Sequence, residues 1–219
     1  NKIFEKYYEN NFSYLNKDET SEIKNNNGLI ANPNTGREKI NFKNIEFSRI
    51  FMTWGIPSLK NQRLNIGFEI LASILSVGRN SRLVKVLKEE KNLVQSIYVD
   101  VNGGELGSLL IIEACCDEIN LKKVEDVINK TIQEIIICED LTLNELKKAI
   151  NIVKSNYIFN LETSTQLTSF FGNELLWGRK NSIIDLNNYL KFWNSLNNFK
   201  EIISYLSRNK FTLIASPTK

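Results

Sequence analysis

Residues 74–97, ILSVGRNSRLVKVLKEEKNLVQSI, carry the pattern on which the fold assignment depends. Apolar residues recur at helical spacing up to Gly78, which ends a first helix, and Asn80 or Ser81 is suited to cap a second one. The stretch then alternates in a way that predicts a strand over 93–101. The apolar face of the second helix consists of Leu83, Val86 and Leu87. The pattern therefore predicts a helix, a tight turn, a second helix and a strand in immediate succession.

The flanking sequence extends this unit into an α+β fold. Upstream, residues 45–54 alternate as a strand does and stop before Pro57. Downstream, the glycines of 102–107 predict a hairpin loop to a further strand, and residues 211–215 predict a final strand. Helices are predicted near 124–135, 142–161, 164–176, 185–192 and 198–207. This order favours a two-layer sandwich, with a mainly antiparallel sheet and helices packed on one face.

The composition allows one packed domain preceded by an irregular segment. The chain has 219 residues, of which 42% are hydrophobic and 24% are charged, so it can bury a substantial core. Asparagine clusters and the turn signal Asn32-Pro33-Asn34 interrupt any periodicity near the start. We therefore expect residues 1–40 to be a lead-in arm or interdomain linker, and residues 41–219 to form one α+β domain.

The absence of histidine from the sequence excludes several classes of active site. An H-x-x-E-H or H-E-x-x-H zinc motif, a Ser-His-Asp triad and a Cys-His dyad all require it. The three cysteines, Cys115, Cys116 and Cys138, lie in apolar surroundings and predict free buried thiols. Asp117 and Glu118 are adjacent acids, but they are typical of a helix N-terminus, where negative charge is favoured.

Charge and hydropathy limit the partners that we expect. The 28 Lys and Arg residues against 25 Asp and Glu leave a formal charge of +3, and without a basic stripe this argues against nucleic acid. The sequence has no run of about 18 apolar residues, so no membrane span is predicted. We expect a soluble protein and favour the cytoplasm over other compartments.

The central stretch resembles the repeated domain of the pitrilysin/insulinase family of zinc metallopeptidases, which includes the mitochondrial processing peptidase. In that family a buried helix ends in a glycine-rich turn, followed by Ser-Arg-Leu, a helix ending in Leu-Arg-Glu-Lys, and a strand. The residues that carry the resemblance are Ser81, Arg82, Leu83, Leu87, Glu89 and Leu93. Further similarity lies in Pro33-x-x-Gly36-Arg37, in 54–57 and in 143–149, so the resemblance covers about 33–216.

The resemblance implies a partner and a place in a larger enzyme. Such proteins are built from homologous halves, one of which carries the zinc helix while the other closes against it around the substrate. Because this chain has no histidine, the resemblance implies the non-catalytic C-terminal domain. It implies no cofactor in this chain and zinc in the partner half. The implied partners are a zinc-bearing N-terminal domain of the same polypeptide, or a homologous subunit, and a peptide substrate.

The resemblance also points to candidate substrate-binding residues. Active relatives contribute an Arg and a Tyr, seven residues apart, that reach the substrate near the zinc. Here Lys88 and Gln95 occupy those positions, so the guanidinium fork and the phenol are both lost. Asn92 replaces the family glycine, and Tyr98 lies on the opposite strand face from Gln95, which makes it a poor substitute. Lys88 and Gln95 are alternatively ordinary polar positions, and Arg82 either contacts peptide or fixes its turn through backbone carbonyls.

Three functions follow from the resemblance. In the main hypothesis, this domain forms part of a peptide-binding chamber and completes a site whose zinc lies on the other half. An exposed sheet edge would then add the substrate as a further strand. The chain alone is expected to lack activity, while the parent protein is either a zinc metalloendopeptidase or an inactive homologue that serves as a scaffold or assembly subunit. A peptide-binding module that acts alone is the third alternative.

Overall fold

The computed structural model describes residues 35–137, 141–176 and 182–218. Its strands are β1 (Gly36–Phe42), β2 (Ser48–Ile56), β3 (Ser96–Asn102), β4 (Ser108–Cys116) and β5 (Lys210–Pro217). Its helices are α1 (Gln62–Ser76), α2 (Arg82–Val84), α3 (Leu121–Ile137), α4 (Leu143–Phe159), α5 (Ser164–Leu176), α6 (Ser182–Trp193) and α7 (Leu196–Ile203). A π-helical turn, Lys85–Glu90, continues α2, and 3₁₀ turns lie at Glu118–Asn120 and Ser204–Ser207.

The strands form one mixed sheet in the order β1-β5-β2-β4-β3. Three of its four pairings are antiparallel, and β1 runs parallel to its neighbour β5. The prediction of an α+β sandwich with a mainly antiparallel sheet is therefore confirmed. The glycine-rich loop at 102–107 joins β3 to β4 as predicted, with Asn102 opposite Leu109.

The sequence pattern does not predict β1. Every residue of Gly36–Phe42 is exposed, so the segment lacks the buried alternation that is typical of a strand. Its conformation comes from its register with β5, which runs from Gly36 opposite Phe211 to Phe42 opposite Pro217. Residues 36–40 belong to this strand, and the division of the chain at residue 40 stays a prediction.

Alternation along the strands separates a helix-covered face of the sheet from an open face. On β2, Ile50, Met52 and Trp54 are buried beneath the helices, whereas Arg49, on the opposite face of the same strand, is exposed. The indole N–H of Trp54 donates to the carbonyl of Leu206 at 3.2 Å, so the one polar atom of this side chain is satisfied in the core. Nearly all of α1 is buried because it packs against β3, α4 and α7.

Two of the three cysteines lie in the described residues. Cys115 and Cys116 are both free and buried. Burial raises the pKa of the Cys116 thiol to about 11, and burial also raises the pKa of Cys115. Both thiols therefore stay protonated at neutral pH and lack the reactivity of a thiolate. The prediction of free buried thiols is confirmed for these two, while Cys138 lies outside the described residues.

Candidate peptide-binding surface

The open face of the sheet presents rows of apolar and charged side chains. In one row, Phe51 of β2 lies between Leu213 of β5 and Glu113 of β4, and Glu113 is opposite Tyr98 of β3. Members of a row point to the same side because paired residues share a face of the sheet. The next row along the strands consists of Phe211, Thr53, Ile111 and Asp100. The face thus combines a central apolar strip with acidic side chains toward β3.

A groove of about 600 Å³ lies on this face beside β3. Phe51 and Ile111 form its floor, and Tyr98, Asp100 and Glu113 form its sides. Tyr98 is 62% exposed, so its ring projects into solvent and its removal would disturb little of the core. An apolar floor with a few polar groups at the rim is the usual lining of a ligand site.

One ion pair crosses the middle of the open face. The NH1 atom of Arg49 lies 2.7 Å from Oε1 of Glu113. Because Arg49 is opposite Cys115 in the register, the pair runs diagonally between β2 and β4. The two side chains are 52% and 30% exposed, so the pair contributes little stability. It holds the Glu113 carboxylate at the side of the groove.

The outer edge of β3 is partly closed to strand addition. The N–H of Val99 donates to Oγ of Ser76, at the end of α1, at 3.0 Å. The N–H of Val101 donates to Oδ1 of Asp100 at 2.8 Å. Both donors are engaged within the domain, whereas an added strand would need such groups free. A peptide is therefore accommodated more readily on the open face than along this edge.

Lys88 and Gln95 lie at the entrance to β3 and outside the groove. Lys88 is exposed within the π-helical turn, and Gln95 is exposed one residue before β3. The backbone N–H of Gln95 donates to the carbonyl of Cys115 at 2.9 Å, which leaves the side chain unconstrained by this bond. Isolated π-turns are frequent at functional sites. Both side chains are accessible to a partner, and their contact with substrate stays a prediction.

Asn92 adopts the left-handed conformation that glycine favours. Its φ is +47°, and it is the one non-glycine residue with a positive φ in the described chain. Beside it, the N–H of Leu93 donates to the carbonyl of Leu87 at 2.8 Å and closes the helix end. Asparagine tolerates this region better than most residues. The departure from the family glycine therefore preserves the turn that leads into β3.

Substitution of Asn92 tests this interpretation. Asn92→Gly is expected to leave the free energy of unfolding unchanged or to raise it by up to about 1 kcal/mol, because glycine has no Cβ to clash. Asn92→Val is expected to lower it by about 2 kcal/mol, because a β-branched residue is strained at positive φ. Urea denaturation followed by circular dichroism measures both, and equal losses in the two variants would contradict the left-handed turn.

Arg82 is bound to the first turn of α4. Its Nε and NH2 atoms lie 2.9 and 3.0 Å from the two carboxylate oxygens of Glu145. The same carboxylate accepts the backbone N–H of Thr142 at 3.2 Å, which completes a capping box between Thr142 and Glu145. The side chain of Arg82 is only 11% exposed. The pair therefore joins the turn after α1 to the start of α4, and a contact between Arg82 and substrate stays a prediction.

The described ranges lack two features. Within residues 35–137, 141–176 and 182–218, no helix combines the length and the apolarity that a membrane crossing requires. In the same ranges, no group of three or more Cys, Asp or Glu residues is placed to hold a metal ion.

The family assignment comes from comparison with known proteins. A family profile described as "Peptidase M16 inactive domain" matches residues 2–153. This chain belongs to the peptidase M16 inactive-domain family. The match confirms the resemblance seen around Ser81-Arg82-Leu83. No curated protein matches the chain significantly.

Solved structures share the fold of this M16 inactive domain. A protease from Helicobacter pylori is 17% identical, with a TM-score of 0.70 over 84% of this chain and 45% of that chain. An inactive peptidase domain from Bordetella parapertussis is 13% identical, with a TM-score of 0.68 over 82% and 98%. A chain of Complex III2 from Candida albicans is 14% identical, with a TM-score of 0.71 over 83% and 46%. The M16 inactive domain thus spans less than half the length of the Helicobacter and Candida chains.

Sequence reasoning on this M16 domain points to Lys88 and Gln95 and does not find the groove. Tyr98 is set aside because it faces away from Gln95, yet the same alternation places it on the open face. Phe51 and Ile111 offer no comparable signal. Apolar residues on the two faces of a strand look alike in sequence until the covering layer of helices is known.

Proposed function

We propose that this chain is the non-catalytic C-terminal half of a pitrilysin/insulinase-type zinc metallopeptidase. Its open sheet face forms part of the peptide-binding chamber, and the domain completes a site whose zinc lies on the N-terminal half. The observation that carries the proposal is the groove on the open face, whose apolar floor of Phe51 and Ile111 is left uncovered by the helices that the structure describes. The assignment to the M16 inactive-domain family supports the same arrangement.

The donor set of this chain does not suit zinc. The sequence has no histidine, and the thiols of Cys115 and Cys116 stay protonated because burial raises their pKa. Zinc held by the partner half would supply the activated water that cleaves the peptide bond. The contribution of this chain is to bind the peptide in extended form, to orient it and to exclude water around it.

Lys88 and Gln95 are proposed to face the partner half from the entrance to β3. Lys88 would offer a cation to a substrate carbonyl or carboxylate, and Gln95 would offer an amide donor. Both side chains are exposed, and both lie near the turn in which Asn92 has a positive φ. Because neither reproduces the Arg and Tyr of active relatives, a weaker stabilisation of the oxyanion is expected than in those enzymes.

Cleavage of an unfolded, quenched-fluorescence peptide tests the proposal. The chain, the upstream half of its parent protein and the mixture are compared, each with zinc and with a chelator. We expect zinc-dependent cleavage in the mixture and none with this chain alone. Lys88→Ala and Gln95→Ala are each expected to lower kcat/KM of the mixture about tenfold. Lys91→Ala removes another exposed lysine of the same segment, so it is the matched control and should change little.

A scaffold or assembly subunit is the second candidate function. Two points favour it: the similarity to a chain of Complex III2 from Candida albicans, and the Lys88 and Gln95 that stand where the resemblance places the Arg and Tyr of active relatives. If the two halves associate but no peptide is cleaved, the result supports the scaffold function and contradicts the peptidase function. Chelator-sensitive cleavage by this chain alone would exclude both functions.

A further inference from the structure

A row of polar side chains interrupts the otherwise apolar packing of α1. Asn65, Glu69 and Ser73 are four residues apart, so they lie on one face of the helix, about 6 Å from one to the next. Asn65 and Ser73 are only 8% and 4% exposed. The Nδ2 atom of Asn65 donates to Oε1 of Glu69 at 2.8 Å, and the hydroxyl of Tyr157 on α4 donates to the same oxygen at 3.4 Å. At Glu69, α1 therefore meets α4 through polar atoms.

The hydroxyl of Ser73 has no hydrogen-bond partner among the residues that the structure describes. A buried hydroxyl without a partner costs free energy, because it gives up its hydrogen bonds to water and gains none in return. Native proteins rarely keep such a group unless a ligand or a water molecule meets it. Ser73 lines a cavity of about 350 Å³ between α1, α4 and the outer edge of β3. A molecule that enters this cavity can therefore satisfy the hydroxyl.

A second cavity, of about 480 Å³, adjoins the first between α1, α4 and α5. Glu69 and Asn156 line both cavities, so the two meet at the middle of the polar row. The second cavity is lined mainly by hydroxyl and amide side chains and by Glu174, which is 7% exposed. The two cavities together form one opening in the helix layer, the α1–α4 cleft.

The α1–α4 cleft is acidic, and no basic side chain is among the described residues that line it. Its carboxylates belong to Glu69 at the centre, Asp100 at the edge of β3 and Glu174 on α5. The whole chain carries a formal charge of +3, so this local surplus does not follow from the composition. Carboxylates beside low-dielectric walls attract cations. An organic cation fits better than a metal ion, because no group of three or more Cys, Asp or Glu residues in the described ranges is placed to hold one.

Apolar side chains between the polar groups suit an aliphatic ligand. Val99 and Val153 line the first cavity, and the ring of Phe170 lines the second. One carboxylate lines each cavity and a third lines both, so a ligand with several ammonium groups matches the cleft better than one with a single charge. An ammonium group donates up to three hydrogen bonds, and the hydroxyl of Ser73 and the amide oxygen of Asn156 can each accept one.

We propose that the α1–α4 cleft binds a linear aliphatic polyamine. One terminal ammonium group donates to the hydroxyl of Ser73, a second lies against the carboxylate of Glu69, and the far end of the molecule reaches Glu174. The methylene segments between them pack against Val153 and Phe170. The bound ligand thus joins α1, α4 and α5 on the helix side of the sheet. This site goes beyond the proposed function and does not depend on it, because the peptide-binding surface lies on the open face.

Isothermal titration calorimetry of this chain with spermidine tests the proposal. We expect spermidine to bind at least about tenfold more tightly than n-butylamine, which has a single ammonium group, and its binding to weaken as the salt concentration rises. No detectable binding of spermidine, or equal binding of n-butylamine, would overturn the proposal.

Two other cations separate the alternative sources of positive charge. N-acetyl-lysine amide represents a lysine side chain of a polypeptide, and it should bind no better than n-butylamine. Calcium at the same concentration as spermidine should not displace it. Binding of N-acetyl-lysine amide as tight as that of spermidine would assign the cleft to a polypeptide, and displacement by calcium would assign it to a metal ion. Either result would overturn the polyamine.

Two conservative variants locate the site. Glu69→Gln removes the central charge but keeps an oxygen that can accept from Asn65 and Tyr157, and it is expected to weaken spermidine binding about tenfold. Ser73→Ala removes the hydroxyl and is expected to weaken binding about fivefold. Glu134→Gln on α3 changes an exposed acid outside the cleft, so it is the matched control and should bind like wild type. Equal weakening in Glu69→Gln and Glu134→Gln would show diffuse attraction to surface acids and overturn the site.

Thermal unfolding separates a ligand-binding role of Ser73 from a structural one. Because its hydroxyl has no partner among the described residues, Ser73→Ala should leave the Tm of the unliganded chain unchanged or raise it. Saturating spermidine should raise the Tm of wild type, and it should raise that of Ser73→Ala by less at the same concentration. A lower Tm of unliganded Ser73→Ala, together with unchanged spermidine binding, would show that the hydroxyl serves the fold and would overturn the proposal.

Discussion

Replacement of Trp193 by alanine is expected to lower the free energy of unfolding by about 3–5 kcal/mol. Trp193 is fully buried and packs edge-to-face against Phe199, with ring centroids 6.2 Å apart. Its indole N–H donates to the carbonyl of Arg63 at 2.7 Å. Alanine would remove this hydrogen bond and leave a cavity where α1, α6 and α7 meet.

The residues around Trp193 are densely packed, so they cannot move far into the cavity that alanine would leave. A Cβ placed on Gly67 of α1 would lie 3.0 Å from Cε2 of Trp193 and 2.5 Å from Cδ1 of Ile202. Gly67 thus allows α1 to approach α7, and the packing around the indole is dense. A cavity in such a region collapses only partly, which is the condition for a large loss.

Urea denaturation followed by circular dichroism measures the loss at Trp193. Phe192→Ala is the matched control, because this neighbouring aromatic residue is 38% exposed and should lose only about 1 kcal/mol. Trp193→Phe should fall between the two, since it keeps part of the packing without the N–H. Similar losses in Trp193→Ala and Phe192→Ala would show that α6 does not pack as described.

Replacement of Arg82 by methionine is expected to lower the free energy of unfolding by about 2 kcal/mol at neutral pH. Loss of one partner of a buried ion pair costs about 3–5 kcal/mol. The Glu145 side chain is 35% exposed, so water compensates part of that loss. Glu145→Gln should cost a similar amount, and the double variant should lose less than the sum of the single variants. Urea denaturation of the three variants measures the coupling.

The contribution of the Arg82–Glu145 pair to the free energy of unfolding should decrease as the pH falls. Burial alone would raise the pKa of Glu145, but hydrogen bonds from Arg82 and from the Thr142 backbone hold it below its ordinary value of 4.5. A lowered pKa means that the stabilisation is complete above pH 4.5 and is lost as the pH falls through the lower, folded-state value. The difference between wild type and Arg82→Met should therefore shrink progressively below pH 4.5.

The same variants decide between the two roles of Arg82. A residue that joins the turn to α4 should affect stability in Arg82→Met and Glu145→Gln alike. A residue that contacts peptide should instead lower cleavage or peptide binding in Arg82→Met while the free energy of unfolding stays near that of wild type. That second result would contradict the role of Arg82 in joining the turn to α4 and would support its contact with substrate.

Local sequence was sufficient for the parts of the fold that local interactions decide. The capping box from Thr142 to Glu145 begins α4 where the pattern predicts, because its hydrogen bonds join residues three apart. The glycines after β3 produce the expected hairpin. The positive φ of Asn92 was not predicted, although asparagine is one of the few residue types that tolerate it.

The groove on the open face was harder to predict from sequence than the fold, and Tyr98 and Phe51 show why. Period-two alternation separates the faces of a strand but does not say which face the helices cover. Tyr98 was therefore distinguishable from Gln95 but not assignable to a groove. Phe51 and Ile111 were indistinguishable from core residues. Whether an apolar strand residue is exposed depends on whether helices pack against its face of the sheet, and the strand sequence does not show this.

The sequence by itself determined the order of helices and strands from β2 to β5, the turn after α1, the absence of any histidine-dependent site, and the family. Each of these depends on residue identity or on spacing within a few positions. Only the tertiary structure decided that the exposed segment Gly36–Phe42 is a strand, because its conformation depends on hydrogen bonds to β5, far away in the chain. The same holds for the groove beside β3, because residues from three strands form it only after the sheet has assembled.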